Sequence, residues 1–173
     1  MSSGFTQLVE GCRRRDRKAQ RELYDTLSPM AMGVCMRYAA DRQQAQDLMQ
    51  DGFIKVYENL DSLREPESLG AWVYGIMVNV GINHCLKAKR YHFVDEGELE
   101  AVTLPLDPFS MEEVVRALQQ LPERPRMAFN LVEVEGYSID EAAEHMKMTA
   151  SGLRATLCRA KAMLRKKLKS HSS

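Results

Sequence analysis

The spacing of apolar residues constrains the fold of this chain more than any other feature. From Ala45 to Leu60 they fall three and four positions apart, and the same interval returns along most of the sequence, which is typical of amphipathic helices. No stretch alternates apolar and polar residues with the period of two that marks strands, so the sequence predicts an all-α fold. We expect one helix from about Asp41 to Leu60 and another from about Leu69 to Arg90, with Ser68 as its N-cap.

An acidic stretch divides the chain into two parts. Residues 91–110 hold five acidic residues and no Lys or Arg, together with Gly97, Pro105 and Pro108. This composition, without regular apolar spacing, is typical of a linker. We therefore predict two small helical domains, at 1–92 and 111–173, joined by a linker at 93–110.

Serine caps mark the helices of the second part. Ser110 with Glu113, and Ser138 with Glu141, fit the Ser-x-x-Glu pattern of a capping box, and each precedes an apolar series. With these starts, the apolar spacing predicts four helices, at about 111–121, 125–135, 139–146 and 150–168.

Composition argues against several classes of protein. With 45% hydrophobic and 28% charged residues, the chain is expected to fold rather than stay disordered. Its four cysteines lie far apart, without histidines at metal-ligand spacing, so we expect reduced thiols in a cytoplasmic protein and neither a metal nor another cofactor. No arrangement of catalytic side chains or phosphate-binding loop is present, which argues against an enzyme. Residues 68–86 carry no Asp, Glu, Lys or Arg, but Asn79, Asn83 and His84 favour a buried helix over membrane insertion.

The last two predicted helices have helix-turn-helix spacing. Only Lys147, Met148 and Thr149 separate them, and residues 154–169 hold seven basic residues and no acid. In such a motif the second helix enters the major groove, and the basic residues farther along this helix reach phosphates. The alternative is a helical hairpin with a solvated basic face.

Two polar faces stand out in the first part. Asp47, Gln50, Asp51 and Lys55 recur three and four positions apart and are expected to share one outward face, although a merely solvated face shows the same pattern. On the next helix a second face combines amides with bases, near Trp72 and Tyr74 at its start; it consists of Asn79, Asn83, Lys87 and Arg90. Amides, basic side chains and aromatic rings suit base edges and stacked single-stranded bases, but a single Trp on a helix more often belongs to the core.

These segments together resemble a known family. The sequences QDLMQDGFIKVYENL at 46–60 and AWVYGIMVNVGINHCLKAKR at 71–90 resemble the second conserved region of extracytoplasmic-function sigma factors of bacterial RNA polymerase. The segment LQQLPERPRMAFNLVEVEGYSIDEAAEHMKMTASGLRATLCRAKAMLRKKL at 118–168 is similar to their fourth region. The match spans nearly the whole chain in the family's order, with a linker between the two parts.

The resemblance implies a sigma factor that binds core RNA polymerase, recognises a promoter and helps to open duplex DNA into melted strands. It implies docking on the clamp helices of the largest polymerase subunit through Asp47, Gln50, Asp51 and Lys55. It implies contacts to the minus-ten element from Arg64, Ser68, Trp72, Asn79, Asn83, Lys87 and Arg90. It implies contacts to the minus-thirty-five element from Thr149, Ser151, Arg154, Ala155, Thr156 and Arg159.

Some positions depart from the family's pattern. Gly75 replaces a frequent Arg, Lys147 the usual Gly of the turn, and Thr156 a frequently basic residue, while Gly152 lies in the first turn of the last helix. We therefore expect weak upstream recognition, with promoter choice leaning on the minus-ten contacts or on a recruited protein. The resemblance also implies an anti-sigma factor as a partner. The alternative is a helix-turn-helix repressor or activator that acts on duplex DNA without docking on polymerase.

Overall fold

The computed structural model describes residues 4–88 and 104–171. These ranges contain helices and no strand, which confirms the all-α prediction. The α-helices are α1 Gly4–Arg13, α2 Arg17–Tyr38, α3 Arg42–Glu58, α4 Leu69–Lys87, α5 Met111–Gln119, α6 Glu123–Phe129, α7 Ile139–Met146 and α8 Ala150–His171. Two 3-10 turns, Leu60–Ser62 and Pro66–Ser68, lie between α3 and α4, and a π-helical turn at Asn130–Val134 follows α6.

The chain packs as two compact units. Unit 1 comprises Met1–Cys35 with Arg42–Gly81, and unit 2 comprises Met36–Asp41 with Ile82–Ser173. The boundaries between these packing units fall inside α2 and α4, and the predicted division at the linker stays a prediction. Most of that linker, 93–110, lies outside the described residues.

Unit 1 includes the first part of α4. Leu69, Val73 and Met77 on this helix are buried, as are apolar residues of α2 and α3. The segment Pro66–Lys87 has the length and mean hydropathy of a membrane span, and 44% of it is buried inside the protein. Its apolar residues thus contribute to the protein core, as the sequence predicts. Helices α3 and α4 meet at Gly52, where a Cβ atom would overlap the end of the Met77 side chain.

Unit 2 has its own core and a buried cation. Leu118, Phe129 and Leu164 are among its buried residues. Arg126 is only 1% exposed, and its guanidinium donates to the carbonyls of Leu118 at 2.9 Å, Gln119 at 3.3 Å, Leu121 at 2.6 Å and Tyr38 at 2.7 Å. The final carbonyls of a helix lack donors within it, and Arg126 supplies donors at the C-terminal ends of α5 and α2. The Leu118 carbonyl also accepts from the Leu121 N–H at 3.0 Å. Burial lowers the pKa of Arg126.

Both predicted capping boxes are present. The side chain of Ser110 accepts from the Glu113 N–H at 3.2 Å, and Ser138 accepts from the Glu141 N–H at 3.1 Å. One helix differs from the prediction. The expected helix at 125–135 begins earlier, at Glu123, and changes to a π-helical turn at Asn130.

Candidate functional site

The polar face of α3 lies opposite its buried stripe. Asp47, Gln50, Asp51 and Lys55 are all exposed, while Leu48, Phe53 and Val56 on the other side are buried. The face also contains Ile54, which is 53% exposed. Sequence reasoning missed Ile54, although its position one residue outside the apolar stripe is a usable signal.

The loop before α4 presents fewer free groups than expected. Arg64 is exposed, whereas the Ser68 hydroxyl donates to the Glu65 carbonyl at 2.7 Å inside a 3-10 turn. Trp72 is half-buried at the start of α4.

Three of the predicted polar residues of α4 are exposed at intervals of four. They are Asn79, Asn83 and Lys87, and this spacing places them along one side of the helix. Arg90 lies outside the described residues. Nearby His84 is half-buried, and burial is the main cause that lowers its pKa.

The turn between α7 and α8 is ordered without a glycine. Lys147 adopts φ 53° and ψ 48° in the left-handed region, its N–H donates to the Glu144 carbonyl at 3.1 Å, and the Met148 N–H donates to Ala143 at 3.0 Å. This pair of hydrogen bonds is a Schellman motif, in which glycine is the usual residue at the position of Lys147. The departure from the family's pattern therefore leaves the turn geometry in place.

Thr149 and Gly152 organise the start of α8. The Thr149 hydroxyl accepts from the Gly152 N–H at 3.0 Å, as an N-cap side chain does. A Cβ on Gly152 would come within 3.1 Å of that hydroxyl. The glycine in the first turn of α8 thus leaves room for its cap.

The predicted residues of the recognition helix divide into two groups. Ser151 and Arg154 are exposed, and Ala155 and Arg159 are half-buried. Thr156 is only 8% exposed, and its hydroxyl donates to the Gly152 carbonyl at 2.9 Å. The structure thus turns Thr156 toward the core of unit 2 and leaves the other four on the accessible side.

The rest of α8 carries a basic surface. Arg165, Lys166 and Lys169 are exposed. Lys161 instead forms an ion pair with Glu133, with 2.6 Å between Nζ and Oε1. Beyond Arg159, the exposed positive charge of α8 therefore comes from Arg165, Lys166 and Lys169.

Three of the four cysteines are buried in the described parts of the chain. Cys12, Cys35 and Cys85 are buried, and burial raises the pKa of Cys12 to about 11 and that of Cys85 to about 12. Within 4–88 and 104–171, no group of three or more His, Cys, Asp and Glu side chains could hold a metal ion.

Two family models match the two parts of the chain in order. Sigma-70 region 2 matches residues 23–91, and Sigma-70 region 4 matches residues 111–164. The chain belongs to the sigma-70 family. This sigma factor is 29% identical to the RNA polymerase sigma-H factor of Pseudomonas aeruginosa, over 94% of this chain and 92% of the relative. It is also 29% identical to the ECF RNA polymerase sigma-E factor of Escherichia coli, over 89% and 88% of the two chains. These relatives support the extracytoplasmic-function group.

A solved structure shares the fold. The sigma factor RpoE of Bartonella quintana, solved in complex with the anti-sigma factor NepR, matches with a TM-score of 0.50 and 20% identity, over 86% of this sigma factor and 96% of that chain. Since both family regions are present, a sigma factor for transcription initiation is favoured over a repressor that acts without polymerase. Sigma factors are not enzymes, so the bond chemistry of transcription belongs to the polymerase.

Proposed function

We propose that this sigma factor docks on the clamp helices of core RNA polymerase through the exposed face of α3. The observation that carries this assignment is an apolar side chain, Ile54, exposed among Asp47, Gln50, Asp51 and Lys55. Protein interfaces commonly combine an apolar centre with a polar rim. The opposite side of α3 is occupied by the core of unit 1, so docking would leave the fold unchanged.

We assign the minus-ten element to the loop before α4 and to α4 itself. Arg64, Asn79, Asn83 and Lys87 are exposed, and Trp72 is partly accessible. Extruding a base from the duplex costs a few kcal/mol, and stacking on an aromatic ring returns about 1–3 kcal/mol per base. A ring with amides and cations nearby can therefore offset strand opening without any covalent step. The Ser68 hydroxyl, already bonded to Glu65, is given no base contact.

We assign the minus-thirty-five element to α8. Arg154 and Arg159 supply guanidinium groups, which can bind guanine with two hydrogen bonds in the major groove, and Ser151 and Ala155 adjoin them on the accessible side. Thr149 orders the helix start, and we assign no base contact to the buried Thr156.

The few side chains available on α8 determine how much each promoter element contributes to promoter binding. We expect promoter choice to lean on the minus-ten contacts or on a recruited protein. Alanine at Asn79 and Asn83 should therefore reduce promoter binding more than alanine at Arg154 and Arg159. Loss of binding with the arginine variants alone would contradict this order.

The partners follow from the same assignments. Core polymerase and promoter DNA, duplex and then melted, are the direct partners, and the cytoplasm is the compartment in which they meet. An anti-sigma factor is a further partner, an idea supported by the solved relative that is held in complex with one. Such a protein would act by covering the α3 face or the DNA-facing helices.

A charge reversal tests the docking assignment. Asp51→Lys should weaken co-purification with core polymerase by about tenfold, which corresponds to 1.4 kcal/mol, because Asp51 is exposed on the proposed interface. Asp107→Lys is the matched control, since Asp107 is exposed on the turn before α5. Transcripts started by each holoenzyme on genomic DNA would then give the promoter. Equal polymerase binding by the two variants would contradict the assignment.

A further inference from the structure

The corner between α1 and α2 carries a dense run of basic residues that take no part in the proposed polymerase and promoter contacts. Residues 13–21 contain six of them, all exposed: Arg13, Arg14, Arg15, Arg17, Lys18 and Arg21. The single acid of this stretch, Asp16, uses Oδ1 to accept from the N–H groups of Lys18 at 2.8 Å and Ala19 at 3.3 Å. Asp16 thus acts as the N-cap of α2.

Two of the six cations have partners within the protein. Arg13 donates to the Leu63 carbonyl at 2.5 Å, and the Nε atom of Arg21 lies 3.7 Å from Asp25. In the described part of the chain, the other four form no ion pair; they are Arg14, Arg15, Arg17 and Lys18. We call these four residues the basic corner.

Arg13 fixes where the basic corner lies. Its guanidinium bonds the carbonyls of Leu60 at 3.3 Å and Leu63 at 2.5 Å, and α1 packs on both 3-10 turns between α3 and α4. Leu63 directly precedes the segment 64–68 before α4, to which we assign minus-ten contacts. The basic corner therefore begins at Arg14, one residue along the chain from the contact of Arg13 with the end of the turn that leads into this segment.

The backbone at the corner is unfavourable for the cations it carries. Arg15 has φ 60° and occupies the left-handed position of a Schellman motif, with Arg15 N–H to Cys12 O and Asp16 N–H to Gly11 O both at 3.0 Å. Glycine adopts this conformation without strain, whereas Arg does not. Arg17 and Lys18 lie in the first turn of α2, where the helix dipole disfavours positive charge. The cations at these three positions do not stabilise the local backbone, which points to a role in binding rather than in folding.

We propose that the basic corner binds the phosphate backbone of promoter DNA beside the minus-ten element. This inference rests on the proposed promoter-binding function of unit 1. Neutralising phosphates releases condensed counterions and adds affinity without sequence information. The basic corner would thus hold the DNA while Trp72 and the amides of α4 select the sequence.

The test uses reconstituted holoenzyme and a promoter fragment over a range of salt concentrations. A variant with Arg14→Gln, Arg17→Gln and Lys18→Gln should lower the slope of log affinity against log salt by about 2 to 3, at roughly 0.7–0.9 per phosphate contact. The loss should be equal for the promoter and for a fragment with an altered minus-ten element. The matched control is Arg116→Gln, because Arg116 is exposed and already paired with Glu112.

Arg15→Gly separates charge from folding. It should keep or raise the unfolding temperature, because glycine suits φ 60°, and it should still lower the salt slope by about 0.7–0.9. An unchanged slope in a holoenzyme that forms normally would overturn the proposal. Loss of binding to core RNA polymerase in the basic-corner variants would also overturn the proposal, because it would show that the basic corner contacts polymerase instead of DNA. Failure of the unmodified chain to bind core would instead refute the proposed function.

Discussion

Lys147 gives a direct measure of the strain at the helix-turn-helix. This exposed residue has φ 53° and ψ 48°, and it ends α7 in a Schellman motif. A residue with a Cβ pays about 1–2 kcal/mol in the left-handed region. Lys147→Gly removes that strain but adds about 0.4–1 kcal/mol of unfolded-state entropy. We expect a net gain of about 0.5–1 kcal/mol, or about 2–8 °C in the unfolding transition of unit 2.

Gly136 provides the reverse substitution. It has φ 78°, and a Cβ there would have no atom within 4 Å, so only backbone strain opposes Gly136→Ala. This variant should lose about 1 kcal/mol. Both variants of the full chain can be followed by far-UV circular dichroism during heating. A Lys147→Gly protein that melts at or below the temperature of the unmodified chain would refute the strain argument, most clearly if Gly136→Ala behaved as expected.

Other predictions concern caps, buried thiols and the buried cation. Ser138→Ala should destabilise unit 2 by about 1 kcal/mol in urea unfolding. Hydrogen bonds from the Ser138 backbone and side chain lower the pKa of Glu141 in the folded state. The stability that they add is therefore present above the unfolded-state pKa and is lost as the pH falls through the folded-state pKa. Glu141→Gln should remove this pH dependence from urea titrations. Cys12 and Cys85 should react with a thiol reagent only after unfolding, because burial raises their pKa values; rapid labelling in the native protein would contradict this. Arg126→Met should cost about 3 kcal/mol or more in the same urea assay, since it removes the guanidinium that donates to four carbonyls.

Features that depend on local sequence could be predicted. Helical periodicity gave the fold class, and the Ser-x-x-Glu patterns located the starts of α5 and α7, because a capping box needs only residues three positions apart. The π-helical turn after α6 could not be predicted in this way. The Asn130 amide there donates to the carbonyls of Arg37 at 2.8 Å and Arg126 at 3.1 Å, and the first of these partners is distant in sequence.

The candidate site shows the same limit. The exposed face of α3 followed from spacing alone, since the buried stripe fixes the opposite side. Thr156 was expected among the DNA contacts, but α8 packs so that this residue is buried. The roles of Arg126 and Arg13 depend on carbonyls brought close by tertiary packing. A sequence pattern contains no signal for such partners.

The missing side chain at Gly52 has a consequence for how α3 and α4 respond to substitution. A Cβ at this buried position would overlap the Sδ and Cε atoms of Met77. Because those atoms are the end of a flexible side chain, Gly52→Ala should be accommodated by a new Met77 rotamer before either helix moves. The helices that bear the proposed polymerase and minus-ten contacts thus meet at a methionine that can adapt to a small added side chain.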